Sequence, residues 1–199
     1  MRLVDLSDAD PVPSWFRQRG LSLAVAATDD LVRTAPHARK EDLFCGAPWL
    51  AVFPVVDAAG ELRSLRFRRV DGERTLKSMA PKGYAAQGLV HACPMARAVL
   101  AGRRVNPHGL PWSGELWIAE GEPDYLKIAA LLVEDTRGKS AGSALISVPG
   151  AEGLPVSIAS RIPSNSQVFI CKQAGVAAQE AARKTTERLS HCSIFEISA

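Results

Sequence analysis

The sequence predicts an α/β fold in which a small α+β region with a three-stranded antiparallel meander precedes a parallel sheet flanked by helices. In residues 111–199, short apolar runs alternate with helical segments, which is the pattern of strand–helix–strand units with right-handed crossovers. In residues 49–81, three strand-like runs are separated by turn signals, a pattern typical of a meander. With 199 residues, of which 47% are hydrophobic, the chain can bury the core of one large domain or of one domain with a smaller appendage. We predict two units, residues 1–110 and residues 111–199.

Helices followed by strands are predicted in the N-terminal unit. A first helix begins at Pro13 or Ser14 and is ended by Gly20, and a second helix covers residues 23–36. The strands of the meander are predicted over residues 49–57, 61–70 and 73–81, with an Ala-Ala-Gly turn and an Asp-Gly turn between them. A linking helix over residues 94–104 and a bend rich in Pro and Gly lead into the second unit.

The C-terminal unit is predicted to contain four strands and three helices. The strands cover residues 115–119, 144–150, 166–171 and 192–198, and the helices cover residues 123–135, 154–162 and 176–189. The strands are continuous apolar runs, as burial on both faces of a parallel sheet requires. Ligand sites in such sheets lie beyond the carboxyl ends of the strands, which here are the loops of residues 120–124, 149–153 and 171–175.

The bulk composition sets limits on location and partners. A net charge of +3 and a pI near 8.8 permit a phosphate-bearing partner without requiring one. The chain has no apolar run near the ~18 residues that a membrane span needs, and its acidic N-terminus does not resemble a signal peptide. The four cysteines form no CxxC pair, which indicates reduced thiols. We expect a cytoplasmic protein that does not bind membranes.

The most biased stretch of the chain is basic. Between residues 61 and 83 there are seven Lys or Arg and three acids. In the middle strand, Arg66 and Arg68 alternate with apolar residues, so one face of the strand is apolar and the other carries guanidinium groups. A solvated outer face of a small sheet explains this pattern, and so does a surface that neutralises nucleic-acid phosphates. Under the second interpretation, the binding residues are Arg63, Arg66, Arg68, Arg69, Arg74, Lys77 and Lys82.

Two carboxylates lie where a parallel sheet carries its sites. Glu120 directly follows an apolar strand and can bind a divalent cation or transfer a proton. Asp124 has a second explanation, because an acid in the first turn offsets the helix dipole and Pro123 is a natural first residue of a helix. A phosphate loop is not predicted at the segment GKSAGS, which follows a helix and lacks the required first glycine.

The segment IAEGEPDYLKIA (residues 118–129) resembles the first motif of the Toprim family, a domain shared by bacterial-type primases, topoisomerases and related nucleases. The motif is a hydrophobic strand, then Glu-Gly, two residues, and an Asp that opens a helix. From about Ser14 onward, the flanking segments look like the primase-type region of phage and plasmid primase–helicase proteins. The resemblance implies a primase-like N-terminal unit and a Toprim-like C-terminal unit. It also implies that Glu120 is a general acid or base beside a metal ion.

The resemblance fails at the third strand, where the family has an Asp-x-Asp pair that holds magnesium. One register places these positions at Gln173 and Gly175, and the other places them at Ile170 and Lys172. Both carboxylates are lost in either register. Since Mg²⁺ prefers carboxylate oxygens, the resemblance implies a degenerate metal site in which Glu120 and Asp124 bind Mg²⁺ or Mn²⁺ weakly.

Three functions follow from these patterns. The first is a primase-type Toprim protein that binds nucleic acid, DNA or RNA, or a replication partner such as a helicase, with weak or absent metal-dependent catalysis. The second is an active Mg²⁺- or Mn²⁺-dependent nuclease or nucleotidyltransferase that uses Glu120. The third is a protein-interaction scaffold that has kept the fold, because folds do not fix functions.

Overall fold

The computed structural model describes residues 11–21, 33–34, 51–71, 78–134, 142–150 and 152–198. The helices in these ranges are α1 (Pro11–Gln18), α2 (Pro94–Leu100), α3 (Glu122–Glu134), α4 (Val156–Ala159) and α5 (Val176–Arg188). The strands are β1 (Arg33–Thr34), β2 (Ala51–Val56), β3 (Leu62–Arg68), β4 (Ser78–Met79), β5 (His91–Ala92), β6 (Glu115–Ala119), β7 (Ala144–Ser147), β8 (Gln167–Lys172) and β9 (Ser193–Ser198). None of the helices in this part of the chain has the length and apolarity that a membrane span requires.

The strands form two sheets, and the predicted fold class is confirmed. The first sheet is antiparallel with the order β1-β2-β3-β4, so it contains the predicted meander with one short strand added at its edge. The second sheet has the order β5-β7-β6-β8-β9, in which every neighbouring pair is parallel except β5 with β7. Each helix between parallel strands returns the chain to the end of the sheet at which the strands begin, as the alternating pattern predicts.

The helix predicted over residues 23–36 is wrong at Arg33 and Thr34. These two residues form β1, which pairs with Val52 and Ala51 at the edge of β2. A sheet edge offers unpaired backbone groups, and this tertiary pairing overrides a weak helical pattern. The other residues of that predicted helix lie outside the described ranges.

Residues from before position 110 contribute to the second sheet. The backbone of His91 and Ala92 pairs with Ser147 and Ile146 of β7. In addition, the buried Leu100 of α2 belongs to the same hydrophobic cluster as the strands of that sheet. The predicted boundary between residues 110 and 111 therefore stays a prediction, while the packing associates β5 and α2 with the parallel strands.

The first sheet turns its arginine-bearing face toward α3. Phe67 of β3 packs with Val52 on one face of the sheet, whereas Phe53 of β2 packs on the other face with Tyr125 of α3. Successive side chains of a strand point to opposite faces, and Phe53 is paired with Arg66. The guanidinium row of β3 therefore lies on the side that faces the second sheet and not on the outer side.

The second sheet is covered by helices on both faces. One face of β6–β8 is buried in a cluster that includes Leu100 of α2, Ile158 of α4 and Ala182 of α5. The other face contacts α3 through residues such as Leu126. Two-sided burial explains why these strands read as continuous apolar runs. The helices leave the carboxyl ends of β6 and β8 open toward the first sheet, which is where the candidate site lies.

Candidate functional site

A cleft of about 360 Å³ opens between β3 and the carboxyl end of the second sheet. It contains five of the residues that the sequence singles out, namely Glu120, Asp124, Gln173, Arg66 and Arg68. These residues are distant in the sequence, and they come from β3, the end of β6, the start of α3 and the loop after β8. The predicted position of the site at the carboxyl ends of the strands thus coincides with a cleft.

Glu120 lies at the tip of β6 in a partly buried position. Burial raises the pKa of its carboxyl group, and the negative charge of Asp124 raises that pKa further. A carboxyl group with a raised pKa holds its proton to a higher pH than an ordinary glutamate. Glu120 is therefore suited to exchange a proton with a group bound in the cleft, which is the role that the sequence predicts for it.

Asp124 and Gln173 contact each other directly. The Nε2 amide of Gln173 donates a hydrogen bond to Oδ2 of Asp124, and this bond links the first turn of α3 to the loop that follows β8. Asp124 also lies where a carboxylate favours the N-terminus of a helix. The amide occupies one oxygen of a carboxylate that would otherwise be available to a cation.

The donor set does not fit a two-metal centre. Gly175 has a φ of 119° at the N-cap of α5, a backbone conformation that an aspartate rarely adopts. In the other register, Ile170 is buried and Lys172 forms an ion pair with Glu196. Within the described residues, there is no group of three or more His, Cys, Asp or Glu able to hold a metal ion. Two-metal sites need several carboxylates that face one another. Among the described residues that line the cleft, the acids are Glu120, Glu122 and Asp124, and Glu122 is paired with two arginines.

Arg66 and Arg68 share one buried carboxylate, that of Glu122. Nε of Arg66 lies 2.5 Å from Oε1 of Glu122, and Nη1 of Arg68 donates a hydrogen bond of 2.6 Å to Oε2. The Glu122 side chain is only 3% exposed, whereas those of Arg66 and Arg68 are 21% and 15% exposed. A buried carboxylate requires compensating charge, and the two guanidinium groups provide it while their outer edges border the cleft.

Glu122 is a site residue that the sequence does not reveal. It is followed by Pro123, so it reads as an ordinary acid in the first turn of a helix. Its arginine partners lie more than fifty positions earlier in the chain. The only sequence signal is that Glu122 is the middle one of three acids in EGEPD, and nothing in that spacing indicates a buried ion pair with β3.

The other predicted basic residues lie outside the cleft. Arg63 points away from it, is 60% exposed, and forms an ion pair of 2.5 Å with Asp57. Arg69 forms an ion pair with Asp71, and Lys82 is exposed. Arg74 and Lys77 lie outside the described residues. Within the described part of the predicted basic row, Arg66 and Arg68 are thus the two members that the fold brings to the carboxylates.

Charge is divided between the two walls of the cleft. The wall formed by β6 and α3 carries Glu120 and Asp124, and the wall formed by β3 carries Arg66 and Arg68. Because Glu122 neutralises one of the two guanidinium charges, the β3 wall keeps a net charge of about +1. An anionic group is therefore favoured beside β3, and a hydroxyl or another hydrogen-bond donor is favoured beside Glu120.

The free energy of unfolding is expected to decrease at low pH because His91 is buried below the cleft. Burial lowers its pKa to about 4, against smaller opposing effects from the Pro54 carbonyl and the Glu122 charge. Nδ1 of the neutral ring donates a 2.7 Å hydrogen bond to that carbonyl. An unfolded histidine has a pKa near 6.5, so this contribution to stability is complete above pH 6.5. This contribution to the free energy of unfolding is about 3 kcal/mol in total, and it is lost as the pH falls toward 4.

Chemical denaturation of the wild type and of His91→Asn at pH 7.5, 6 and 4.5 measures this contribution. Asparagine can keep the hydrogen bond to the Pro54 carbonyl but does not titrate. The stability advantage of the wild type over His91→Asn is expected to shrink steadily toward pH 4.5. A difference that does not change with pH would show that His91 is not the group responsible.

Comparison with known proteins identifies the fold. No family model and no curated protein matches the sequence. Several solved structures match over nearly the whole chain. The zinc-binding and RNA polymerase domains of the Aquifex aeolicus primase match with a TM-score of 0.62 and 15% identity, over 96% of this chain and 50% of that one. This chain thus spans about half the length of that primase fragment.

Two further matches are also primase domains. A DNA primase domain from Pseudomonas aeruginosa matches with a TM-score of 0.58 and 14% identity, over 98% of this chain and 66% of that one. The RNA polymerase domain of the Mycobacterium tuberculosis primase, in complex with a double-stranded DNA oligomer with a 6-nucleotide overhang, matches with the same score and identity, over 98% of this chain and 67% of that one. The fold of this chain is therefore similar to that of bacterial primase domains.

Proposed function

We propose that this chain is a primase-type Toprim-domain protein that binds nucleic acid in the cleft, with weak or absent metal-dependent catalysis. The proposal rests on one observation, that two arginines and two carboxylates line the same cleft. These residues are Arg66, Arg68, Glu120 and Asp124. The primase-like fold supports the proposal, because one of the similar domains is in complex with DNA. A helicase partner and a phage or plasmid origin are further proposals that rest on the sequence resemblance alone.

Phosphate binding by Arg66 and Arg68 follows from their geometry. A guanidinium group has five N–H donors in a rigid plane and binds phosphate through two of them at once. Glu122 contacts one edge of each group and so fixes its orientation. Nη2 of Arg66 also donates a 2.6 Å hydrogen bond to Oγ of Ser78. Both arginine side chains border the cleft, where their N–H groups that contact neither Glu122 nor Ser78 can reach a phosphate group.

Weak or absent catalysis follows from the opposite wall. The amide of Gln173 donates a hydrogen bond to Asp124, and in one register of the Toprim pattern Gln173 stands where the family has a metal-binding aspartate. A neutral amide adds no negative charge to the site, and Mg²⁺ gives up its water shell reluctantly. We therefore propose that Glu120 and Asp124 contact the bound nucleic acid, with Glu120 able to carry a proton.

Salt titration of oligonucleotide binding tests the proposed function. The variant Arg66→Gln/Arg68→Gln is expected to bind a labelled single strand on the order of tenfold more weakly than the wild type. The slope of log affinity against log salt should also fall by about 1.4, which is roughly 0.7 for each lost phosphate contact. Fluorescence anisotropy at several salt concentrations gives both quantities.

Arg63→Gln is the matched control, because Arg63 lies on the same strand but points away from the cleft. It is expected to leave affinity and slope close to wild type. If both variants bind as the wild type does, or if binding does not depend on salt, the cleft is not the nucleic-acid site. Circular dichroism of each variant checks that it is folded.

An alternative proposal is an active Mg²⁺- or Mn²⁺-dependent nuclease or nucleotidyltransferase. The observation that favours it is the raised pKa of Glu120, a common property of catalytic acids and bases. This alternative requires metal-dependent turnover that Glu120→Gln abolishes. The lack of turnover with either metal, on single-stranded and double-stranded substrates, would exclude it.

A further inference from the structure

A second basic surface lies at the opposite end of β6 from the cleft. Residues 102–113 form an exposed hairpin that leads directly into β6. Val105 pairs with Pro111 across the hairpin, and the amide of Trp112 donates a 2.8 Å hydrogen bond to the carbonyl of Arg104. Oδ1 of Asn106 accepts hydrogen bonds from the amides of His108 and Leu110. The hairpin therefore has a defined shape and does not depend on a partner to form it.

The hairpin belongs to a stretch of the sequence that contains Lys and Arg but no acids. Between Arg74 and Gly114, the chain contains six Lys or Arg and no Asp or Glu. Two of these cations, Arg103 and Arg104, are adjacent and exposed at the base of the hairpin. This stretch of sequence offers no acid to pair with its arginines. In β3, by contrast, both arginines of the cleft wall contact the buried Glu122.

An aromatic ring supports one of the two guanidinium groups. Cζ of Arg104 lies 4.8 Å from the centroid of the Trp112 ring, within the range of a cation–π contact. Nε1 of Trp112 donates a 2.9 Å hydrogen bond to the carbonyl of Glu115, so the ring is held against the start of β6. The Arg104 guanidinium is therefore held at the surface, and less side-chain entropy is lost when it binds an anion.

Apolar side chains lie beside the cations. Val105 and Leu110 are both exposed near the tip of the hairpin. A single-stranded nucleic acid presents phosphates beside unpaired bases, and proteins that bind it combine cations with apolar or aromatic contacts. The hairpin offers both kinds of group and has no carboxylate of its own to repel a phosphate.

We propose that the hairpin of residues 102–113 is a second contact for single-stranded nucleic acid, in which Arg103 and Arg104 bind backbone phosphates. The proposal rests on the proposed function of the cleft, because both contacts would hold the same strand. The five residues of β6 separate the two surfaces by about 17 Å. A stacked strand covers that distance with roughly five nucleotides, so only a strand longer than this reaches both surfaces.

Dependence on oligonucleotide length tests this inference. Anisotropy is measured with single strands of about 4 and about 16 nucleotides for the wild type, Arg103→Gln/Arg104→Gln and Arg66→Gln/Arg68→Gln. The hairpin variant is expected to bind the long strand on the order of tenfold more weakly, with a salt slope lower by about 1.4, and to bind the short strand like the wild type. The cleft variant is expected to lose affinity for both strands.

Two controls separate site-specific effects from a general loss of charge. Lys127→Gln/Arg183→Gln removes two exposed cations elsewhere and should leave binding of both strands unchanged. Arg103→Lys/Arg104→Lys keeps the charge and should restore most of the affinity for the long strand, because the phosphate contacts of this surface are chiefly electrostatic.

The possible outcomes distinguish the hairpin from the cleft. Unchanged binding of the long strand by the hairpin variant overturns the inference and leaves the cleft proposal intact. If that variant instead loses binding to a polyglutamate peptide alone, the surface docks an acidic protein and the inference is equally overturned. If the hairpin variant weakens long-strand binding and the cleft variant does not, the hairpin contact stands and the cleft proposal fails. Lack of binding by the wild type overturns both.

Discussion

Glu122→Ala is expected to lower the free energy of unfolding by about 3–5 kcal/mol, the range for removing one member of a buried ion pair. The Glu122 side chain is 3% exposed and contacts two guanidinium groups, so alanine leaves two partly buried positive charges close together. Because both arginines reach the cleft and regain some hydration there, the lower end of this range is expected. Urea unfolding at pH 7.5 measures the change.

An exposed ion pair is the matched control for this prediction. Nη2 of Arg183 lies 2.6 Å from Oε1 of Glu180, at a similar distance, but the two side chains are 56% and 43% exposed. Pairs of that kind contribute little, so Glu180→Ala should cost less than about 1 kcal/mol. If Glu122→Ala costs no more than Glu180→Ala, then the contact between β3 and α3 does not hold the two sheets together.

Replacing Glu122 together with both of its arginine partners separates the effect of their charge from the effect of their volume. In Glu122→Leu/Arg66→Met/Arg68→Met, apolar side chains fill the same space and no uncompensated charge remains. Such replacements are often neutral or stabilising. This variant should therefore be markedly more stable than Glu122→Ala, while it loses the nucleic-acid binding that we assign to the arginines.

Gln173→Asp is expected to raise the affinity of the cleft for Mn²⁺ by about tenfold or more. The substitution replaces an amide that donates to Asp124 with a third carboxylate that borders the same cleft as Glu120 and Asp124. Carboxylate oxygens are the preferred ligands of Mg²⁺ and Mn²⁺, and the mutual repulsion of three carboxylates favours a bound cation. Electron paramagnetic resonance of free Mn²⁺ measures the affinity without any assay of activity.

Gln173→Ala controls for loss of the hydrogen bond to Asp124. It removes the amide without adding a carboxylate, so its Mn²⁺ affinity should stay close to that of the wild type. Two results would contradict this account. One is a wild-type affinity already equal to that of Gln173→Asp, and the other is an equal gain in both variants, which would mean that the amide alone blocks an otherwise complete site.

The strands of the second sheet were largely predictable, because each is a continuous apolar run bounded by turn residues. β5 was not predicted, since two residues are too few to show a periodicity. Its antiparallel pairing with β7 depends on how the chain returns to the sheet. β1 was missed for a similar reason, because pairing at a sheet edge depends on a neighbouring strand and not on the two residues themselves.

The candidate site was predictable in its members more than in its contacts. Alternation along β3 indicated that Arg66 and Arg68 share a face, but it could not indicate which way that face points. Phe53 shares a buried cluster with Tyr125 of α3, and this packing turns the arginines on the same face of the sheet toward Glu122. Likewise, one of the two motif registers identified Gln173, whereas its hydrogen bond to Asp124 spans 49 positions and depends on how α3 and β8 lie in the folded chain.

The most direct test of the central claim is a crystal structure of the protein with a single-stranded oligonucleotide of about 16 nucleotides, a length that can reach both surfaces. A phosphate oxygen within about 3 Å of the guanidinium nitrogens of Arg66 or Arg68, with Glu120 facing the same strand, is the result that this account predicts. A strand bound elsewhere on the molecule, with no phosphate in contact with Arg66 or Arg68, would contradict it.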